Sequence, residues 1–225
     1  MQHTISAIGS IRSPYTQKFG IARQPGLVPA AKIQIVLNRE FTADSVRGLQ
    51  DFEYIWVHFI FHGVLDEGWA QMVRPPRLGG KQKVGVFATR SPHRPNHLGL
   101  SLLKLEAVRP HSDGIILECS GADLLDGTPV IDIKPYIPFV EAKPDAACGF
   151  VTGAPEQLTV VWQANSRPAG LPDETAALIE QSIAQDPRPA YQNIPERIYV
   201  MEIADLEVKF SINQNIAEII QLNPT

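Results

Sequence analysis

Arg90, His93, Arg94, Asn96 and His97 crowd into one short run, Gly-Val-Phe-Ala-Thr-Arg-Ser-Pro-His-Arg-Pro-Asn-His-Leu-Gly-Leu-Ser, at residues 85 to 101. Guanidinium, imidazole and carboxamide groups are those of ion pairing, hydrogen bonding and proton transfer. Pro92 and Pro95 fix φ among them, and Gly99 permits close backbone approach, so the polar groups are held in place rather than left to sample solvent. A solvated surface connector is the alternative. His58 with His62, and His93 with His97, repeat at i, i+4, a metal-ligating spacing on a helix. The two prolines disfavour a helix in the second pair, and along a strand such residues stand about 13 Å apart, too far to share an ion. No metal is therefore expected. The chain also has no G-x-G-x-x-G run after a strand, no P-loop and no C-x-x-C pair, so neither a Rossmann nucleotide site nor a zinc site is supported.

The same run resembles the signature of the TsaA-like family, whose bacterial members are TrmO-type tRNA (adenine-N6)-methyltransferases. Further matching blocks are Arg12-Ser-Pro-Tyr15, Arg23-Gln-Pro-Gly-Leu27, Arg74-Pro-Pro-Arg-Leu-Gly-Gly80, Asp126-Gly-Thr-Pro-Val130, Asp132-Ile-Lys-Pro-Tyr136 and Asp186-Pro-Arg-Pro-Ala-Tyr191, in the family's order and across nearly the whole chain. The resemblance implies S-adenosylmethionine as cofactor, lying on a β-barrel against loops. Carried over residue by residue, its contacts are Pro25, Gly26, Leu27, His62, Gly63, Arg90, Leu100, Ser120, Gly121, Ala122 and Asp123. Gly26 and Gly121 would allow backbone approach, Leu27 and Leu100 would sandwich adenine, and Asp123 would accept from the ribose hydroxyls or the amino group.

The implied reaction methylates N6 of a tRNA adenosine just 3′ of the anticodon that already bears a threonylcarbamoyl group. A ureido N–H is a poor nucleophile, so a group that takes or shares its proton is expected; Asp123, Asp126 and His62 are the candidates. The threonyl carboxylate calls for a cation, and Arg94 is the choice, because a guanidinium fork binds carboxylate bidentately. A homodimer is implied as well. Two rivals stay open: a non-catalytic RNA-binding barrel, and a methyltransferase acting on a small molecule.

Charge supports a polyanionic partner in spite of a net charge of −4. Residues 1 to 39 hold five Lys or Arg and residues 68 to 105 hold seven, with no Asp or Glu in either stretch, so these segments carry +12 against −16 elsewhere. Such segregation suits a phosphate-binding face on an acidic body, with Arg74, Arg77, Lys81 and Lys83 as candidate tRNA contacts. The alternative is that acidic neighbours neutralise each basic segment. Arg188, between Pro187 and Pro189 and close to Tyr191, is a rigid cation near an aromatic, suited to a phosphate or an unstacked base. Its alternative is a helix-terminating turn after Asp186.

Positioning these groups falls to a mainly β chain. Residues 33 to 37 alternate as a half-buried strand, and residues 54 to 61 read as a strand buried on both sides. Strands are expected again at 98 to 108, 114 to 119 and 128 to 133, with Asp126-Gly127 turning into the last, and a short helix between Asp44 and Leu49 capped by Thr42 or Asp44. Short strands with turns between them predict a closed antiparallel β-barrel over residues 1 to 145. Small residues, Pro and Gly over 142 to 157 read as a linker.

Residues 155 to 225 then form a small α+β domain, with a helix from about Asp173 to Gln185 capped by Asp173 and apolar along Ala176, Ala177, Ile179 and Ile183. This domain is expected to serve substrate rather than cofactor, so a chain ending near Ala154 should still bind cofactor. No run reaches the roughly 18 apolar residues of a membrane span, and the first residues lack a basic-then-apolar leader. Cys119 and Cys148 are expected as free thiols, and a cytoplasmic location is expected.

Overall fold

The computed structural model describes residues 3–112, 114–188, 194 and 197–225. In chain order its first strands are β1 (Gly9–Arg12), β2 (Ile33–Leu37), β3 (Tyr54–Ile60), β4 (Met72–Val73), β5 (Val84–Gly85), β6 (Leu98–His111), β7 (Gly114–Ser120) and β8 (Pro129–Pro135). Six of them close into an antiparallel barrel in the order β1-β2-β7-β6-β3-β8, while β4 and β5 form a separate two-stranded ribbon. Closure follows from period-two patterning: Ile33, Ile35 and Leu37, Ile55, Val57 and Phe59, and Leu103 and Leu105 all turn into one core with Leu117 and Val130.

The strand expected to be buried on both faces, β3, is buried on one. Its outward Tyr54 and Trp56 are half-covered by Tyr136, with ring centroids 6.4 and 6.0 Å away, and Trp56 Nε1 donates to Glu141 at 2.7 Å. Aromatic bulk on the outer wall is what made the run read as continuously apolar. The expected helix after Thr42 resolves into two 3-10 turns, Ala43–Val46 and Leu49–Asp51, separated by Gly48 at φ 84°; the Thr42 side chain accepts from Asp44 N–H.

After a short helix α1 (Pro138–Glu141), β9 (Thr159–Trp162), β10 (Ile198–Ile203), β11 (Leu206–Asn213) and β12 (Ile216–Pro224) form a sheet ordered β10-β11-β12-β9, with β9 parallel to β12. Helix α2 (Asp173–Ala184) packs on it through Leu178, Ile179 and Ile183. Pro172 occupies the cap position that was expected of Asp173, and Asp173 instead sits in the first turn, where its charge suits the helix N-terminus.

This second core does not consist of C-terminal residues alone. Tyr15, Ala22, Val28 and Ala31, from the long connection between β1 and β2, are buried in it. Gly20 is needed there: a Cβ on it would fall 2.2 Å from Met201 Sδ, and its φ is +95°. The buried Tyr15 hydroxyl shares a 3.0 Å hydrogen bond with Ser182 on α2, and burial pushes its pKa up to about 12.

Candidate active site

One end of the barrel gathers four segments. Gly26 N–H donates to Gly121 O at 2.7 Å, and Ala122 N–H to Ala31 O at 3.1 Å, so the 23–31 connection lies directly against the turn that follows β7. Gly121 sits at φ +70°, a conformation that favours glycine, and a Cβ on it would stand a tight 3.3 Å from the Gly26 Cα. Gly26 is also left-handed, at φ +81°, and nothing lies within 4 Å of where its Cβ would be, so its outer side is open to a ligand.

Asp123 faces back across this end. Ser101, fully buried on the inner side of β6, donates to its Oδ1 at 2.6 Å. Burial pushes the Asp123 carboxyl up to about 6; the Ser101 hydrogen bond and the positive charge of Arg90 oppose that rise. Arg90 is oriented in turn by Gln24, whose Oε1 accepts from Nη1 at 2.6 Å. A half-buried carboxylate with a raised pKa, a nearby guanidinium and two glycine backbones thus converge on one spot.

The signature loop is as constrained as its prolines suggest. Thr89 Oγ1 donates to Val86 O at 2.8 Å and accepts from Ser91 N–H, and Ser91 Oγ accepts from His93 N–H. His97 Nδ1 lies 3.0 Å from Pro92 O; a carbonyl can only accept, so Nδ1 carries the proton. Asn96 and His97 are held at positive φ, 65° and 50°. Arg94 Nη1 donates to Thr89 O at 3.1 Å, which leaves the rest of its guanidinium available. The loop is tied to the 3-10 turn His62–Glu67 by His93, 3.7 Å from Glu67, which also pairs with Lys18 at 3.3 Å. Lys18 passes over Gly63, where a Cβ would meet its Cε at 3.0 Å.

The remaining expected residues separate. Pro25 precedes Gly26 at the open edge, and Ser120 turns toward Glu106, to which its hydroxyl donates at 2.6 Å. Leu27 packs on the second core. Leu100 faces the outer wall, beside His58 in register and on the opposite side of β6 from Ser101. Asp126 accepts Ser13 N–H at 2.8 Å and shapes the turn into β8, which leaves Asp123 as the better-placed carboxylate.

Arg74, Arg77, Lys81 and Lys83 are all exposed on the loop between β4 and β5, and none has an ion pair among the described residues. Arg188, expected to present a free cation, instead wraps its fork around Asp186, with both contacts at 2.7 Å and its side chain largely buried. Asp186 takes φ 48° at the end of α2, so this is the terminating turn. Tyr191 lies outside the described residues. No group of three or more His, Cys, Asp or Glu able to hold a metal occurs among the described residues.

Five contributors were not anticipated. Ser101 had a signal, a lone hydroxyl at an inward position of an apolar strand, where burial demands a partner. Gln24 stood inside a matched block without a role. Gln181 of helix α2 and Gln185 at its C-cap grip the 23–31 connection by its backbone: Gln181 Oε1 accepts Ala30 N–H at 2.9 Å and Gln185 Nε2 donates to Leu27 O at 3.1 Å. Arg23 adds bonds to the carbonyls of Asp186 and Arg188 at 3.2 and 3.0 Å.

Comparison with known proteins places this geometry. The family model for the tRNA-methyltransferase O N-terminal domain matches residues 10–142, and that for the TrmO C-terminal domain matches residues 155–225. The chain belongs to the TrmO family. Among TrmO relatives, a tRNA (adenine(37)-N6)-methyltransferase of Eikenella corrodens is 61% identical over 166 residues, which cover 74% of this chain and 94% of that one. The enzyme of the same name from Escherichia coli K12 is 43% identical, with 96% of each chain covered. A crystal structure of TrmO from Pseudomonas aeruginosa superposes with a TM-score of 0.81 at 35% identity, covering 100% of this chain and 98% of that one.

Proposed function

We propose that this protein transfers a methyl group from S-adenosylmethionine to N6 of adenosine 37 of tRNA, with threonylcarbamoyladenosine as the preferred acceptor. The observation that carries the reading is the barrel end itself, where Gly26, Gly121, Asp123, Ser101 and Arg90 converge in a chain of the TrmO family. Their chemistry fits the cofactor: Gly26, left-handed and open on its outer side, lets a nucleoside approach the backbone, and Asp123, kept from full solvation, accepts from hydroxyl or amino donors. Pro25 to Leu27, His62, Gly63, Arg90 and Ser120 to Asp123 would hold it. When bound, the cofactor supplies an electrophilic methyl on a sulfonium.

The chain's own part is orientation and proton handling. Fixing N6 in line for displacement is worth up to ~7–11 kcal/mol in ideal intramolecular cases. Asp123, with a pKa near 6, is ionised at neutral pH yet basic enough to share the ureido proton, and Ser101 keeps its carboxylate aimed. Arg94, one arm fixed by Thr89 O, is assigned to the threonyl carboxylate. A homodimer working in the cytoplasm completes the proposal; a second copy would cover the outward Leu98 and Leu100 of β6.

The test is nucleoside mass spectrometry of threonylcarbamoylated tRNA incubated with purified, metal-stripped protein and S-adenosylmethionine. A mass gain of one methyl on that nucleoside is expected, and calorimetry should show saturable cofactor binding that Arg90→Ala weakens. Cofactor binding without any methylated tRNA would favour a small-molecule acceptor. RNA binding without cofactor binding would leave only a binding barrel.

A further inference from the structure

Large apolar side chains stand in solvent where the acid-free segment is most basic. Phe87 is 78% exposed, Trp69 54% and Met72 51%, and all three sit at the root of the β4–β5 ribbon. Chain pairing brings them together: Met72 lies opposite Gly85, Val86 N–H donates to Gln71 O at 2.9 Å, and Ala70 N–H donates to His93 O at 3.2 Å. Trp69 and Phe87 therefore occupy neighbouring, oppositely running stretches of chain. Val86, beside Phe87, is buried and anchors this root, so the rings project from a fixed base rather than a loose loop.

The surroundings decide what such rings would meet. On the ribbon's tip are Arg74, Arg77, Lys81 and Lys83, exposed and without ion pairs among the described residues, and on the other side of the root are Arg90 and Arg94. Between residues 68 and 105 there is no carboxylate to repel an anion. Exposed aromatic rings within a field of cations match the two halves of an unpaired nucleotide, a π-face and a phosphate.

We propose that Trp69 and Phe87 form a stacking platform for unstacked bases of an RNA loop, with the ribbon's cations holding the flanking phosphates. This rests on the proposed action on tRNA and adds to it the residues that hold the loop open beside Arg90 and Arg94.

The experiment uses the full chain and an anticodon stem-loop RNA of the tRNA, with binding measured across a salt series. Trp69→Ala and Phe87→Ala should each weaken binding about five- to a hundredfold, while the slope of log affinity against log salt stays that of the parent, because no phosphate contact is lost. Phe87→Tyr should bind like the parent. Trp69, one of three tryptophans, should be quenched on RNA addition, and this quenching should vanish in Trp69→Phe.

Parent protein that binds the stem-loop alongside both alanine variants of equal affinity would overturn the platform and leave the tRNA reading intact. Parent protein that binds no RNA would overturn both. Alanine variants that alter sedimentation yet keep parental RNA affinity would show that the rings pack against a second copy instead.

Discussion

The role proposed for Asp123 predicts how the reaction depends on pH. Burial raises its carboxyl from the ordinary 3.8 to about 6, and Arg90 works against that rise. Methyl transfer that needs the ionised form should fall away as pH drops through about 6, and single-turnover rates across pH 5 to 8 should show one such limb. Asp123→Asn should lose the limb with most of the activity. Arg90→Ala should move the limb to higher pH, because the charge that favours the carboxylate is gone; a limb that stays put would mean that another group titrates. Stability runs the other way. A folded-state pKa above the unfolded one means that ionising Asp123 opposes folding, with no penalty below about pH 4, a growing one up to about pH 6 and the full one above, so Asp123→Asn should raise the melting temperature at pH 8 and leave it nearly unchanged at pH 3.5. Asp123 itself was legible among the matched residues, but its partner was not: that Ser101 lies across from it depends on strand register, which local sequence does not contain.

Helix α2 is the element whose role differs most from expectation. Its amphipathic pattern could be read from spacing, as could the alternation of β2 and the turn at Asp126-Gly127. What spacing could not reveal is that the 13–31 connection leaves the barrel, buries Tyr15, Ala22, Val28 and Ala31 in the C-terminal core, and returns carrying Gly26. Local periodicity reports that a residue is buried, not which core receives it. A chain ending near Ala154 would strip cover from those four side chains and remove Gln181 and Gln185, so it should lose cofactor binding together with methyl transfer, contrary to the expectation drawn from sequence. The sharper variant is Gln185→Ala in the full chain. Losing its bond to Leu27 O forfeits about 0.5–1.5 kcal/mol, so calorimetry should show roughly two- to tenfold weaker cofactor binding. Unchanged affinity in both proteins would show that the barrel holds the loop unaided.

At the scale of the whole molecule, the twelve bases in acid-free segments differ in their partners. Lys18, Lys32 and Lys104 are paired with Glu67, Glu174 and Glu106, and Arg23 is bonded to the carbonyls of Asp186 and Arg188. Arg74, Arg77, Lys81 and Lys83 have no such partners among the described residues, and they cluster on the ribbon that springs from the signature loop. Sequence could count these charges, yet only folding sorts the neutralised from the free. Released counterions report that difference, because each phosphate contact contributes about 0.7–0.9 to the slope of log affinity against log salt. Replacing all four ribbon cations with glutamine should therefore weaken tRNA binding and lower the slope by about three, whereas Lys32→Gln with Lys104→Gln should leave it within error. Cofactor affinity should stay constant after ribbon neutralisation, since none of those four side chains is among the residues assigned to the cofactor. Equal loss of slope from the two sets would mean that tRNA spreads over the molecule's general field, and an unaltered slope after ribbon neutralisation would direct the search for the phosphate path to Arg90, Arg94 and the surface beyond them.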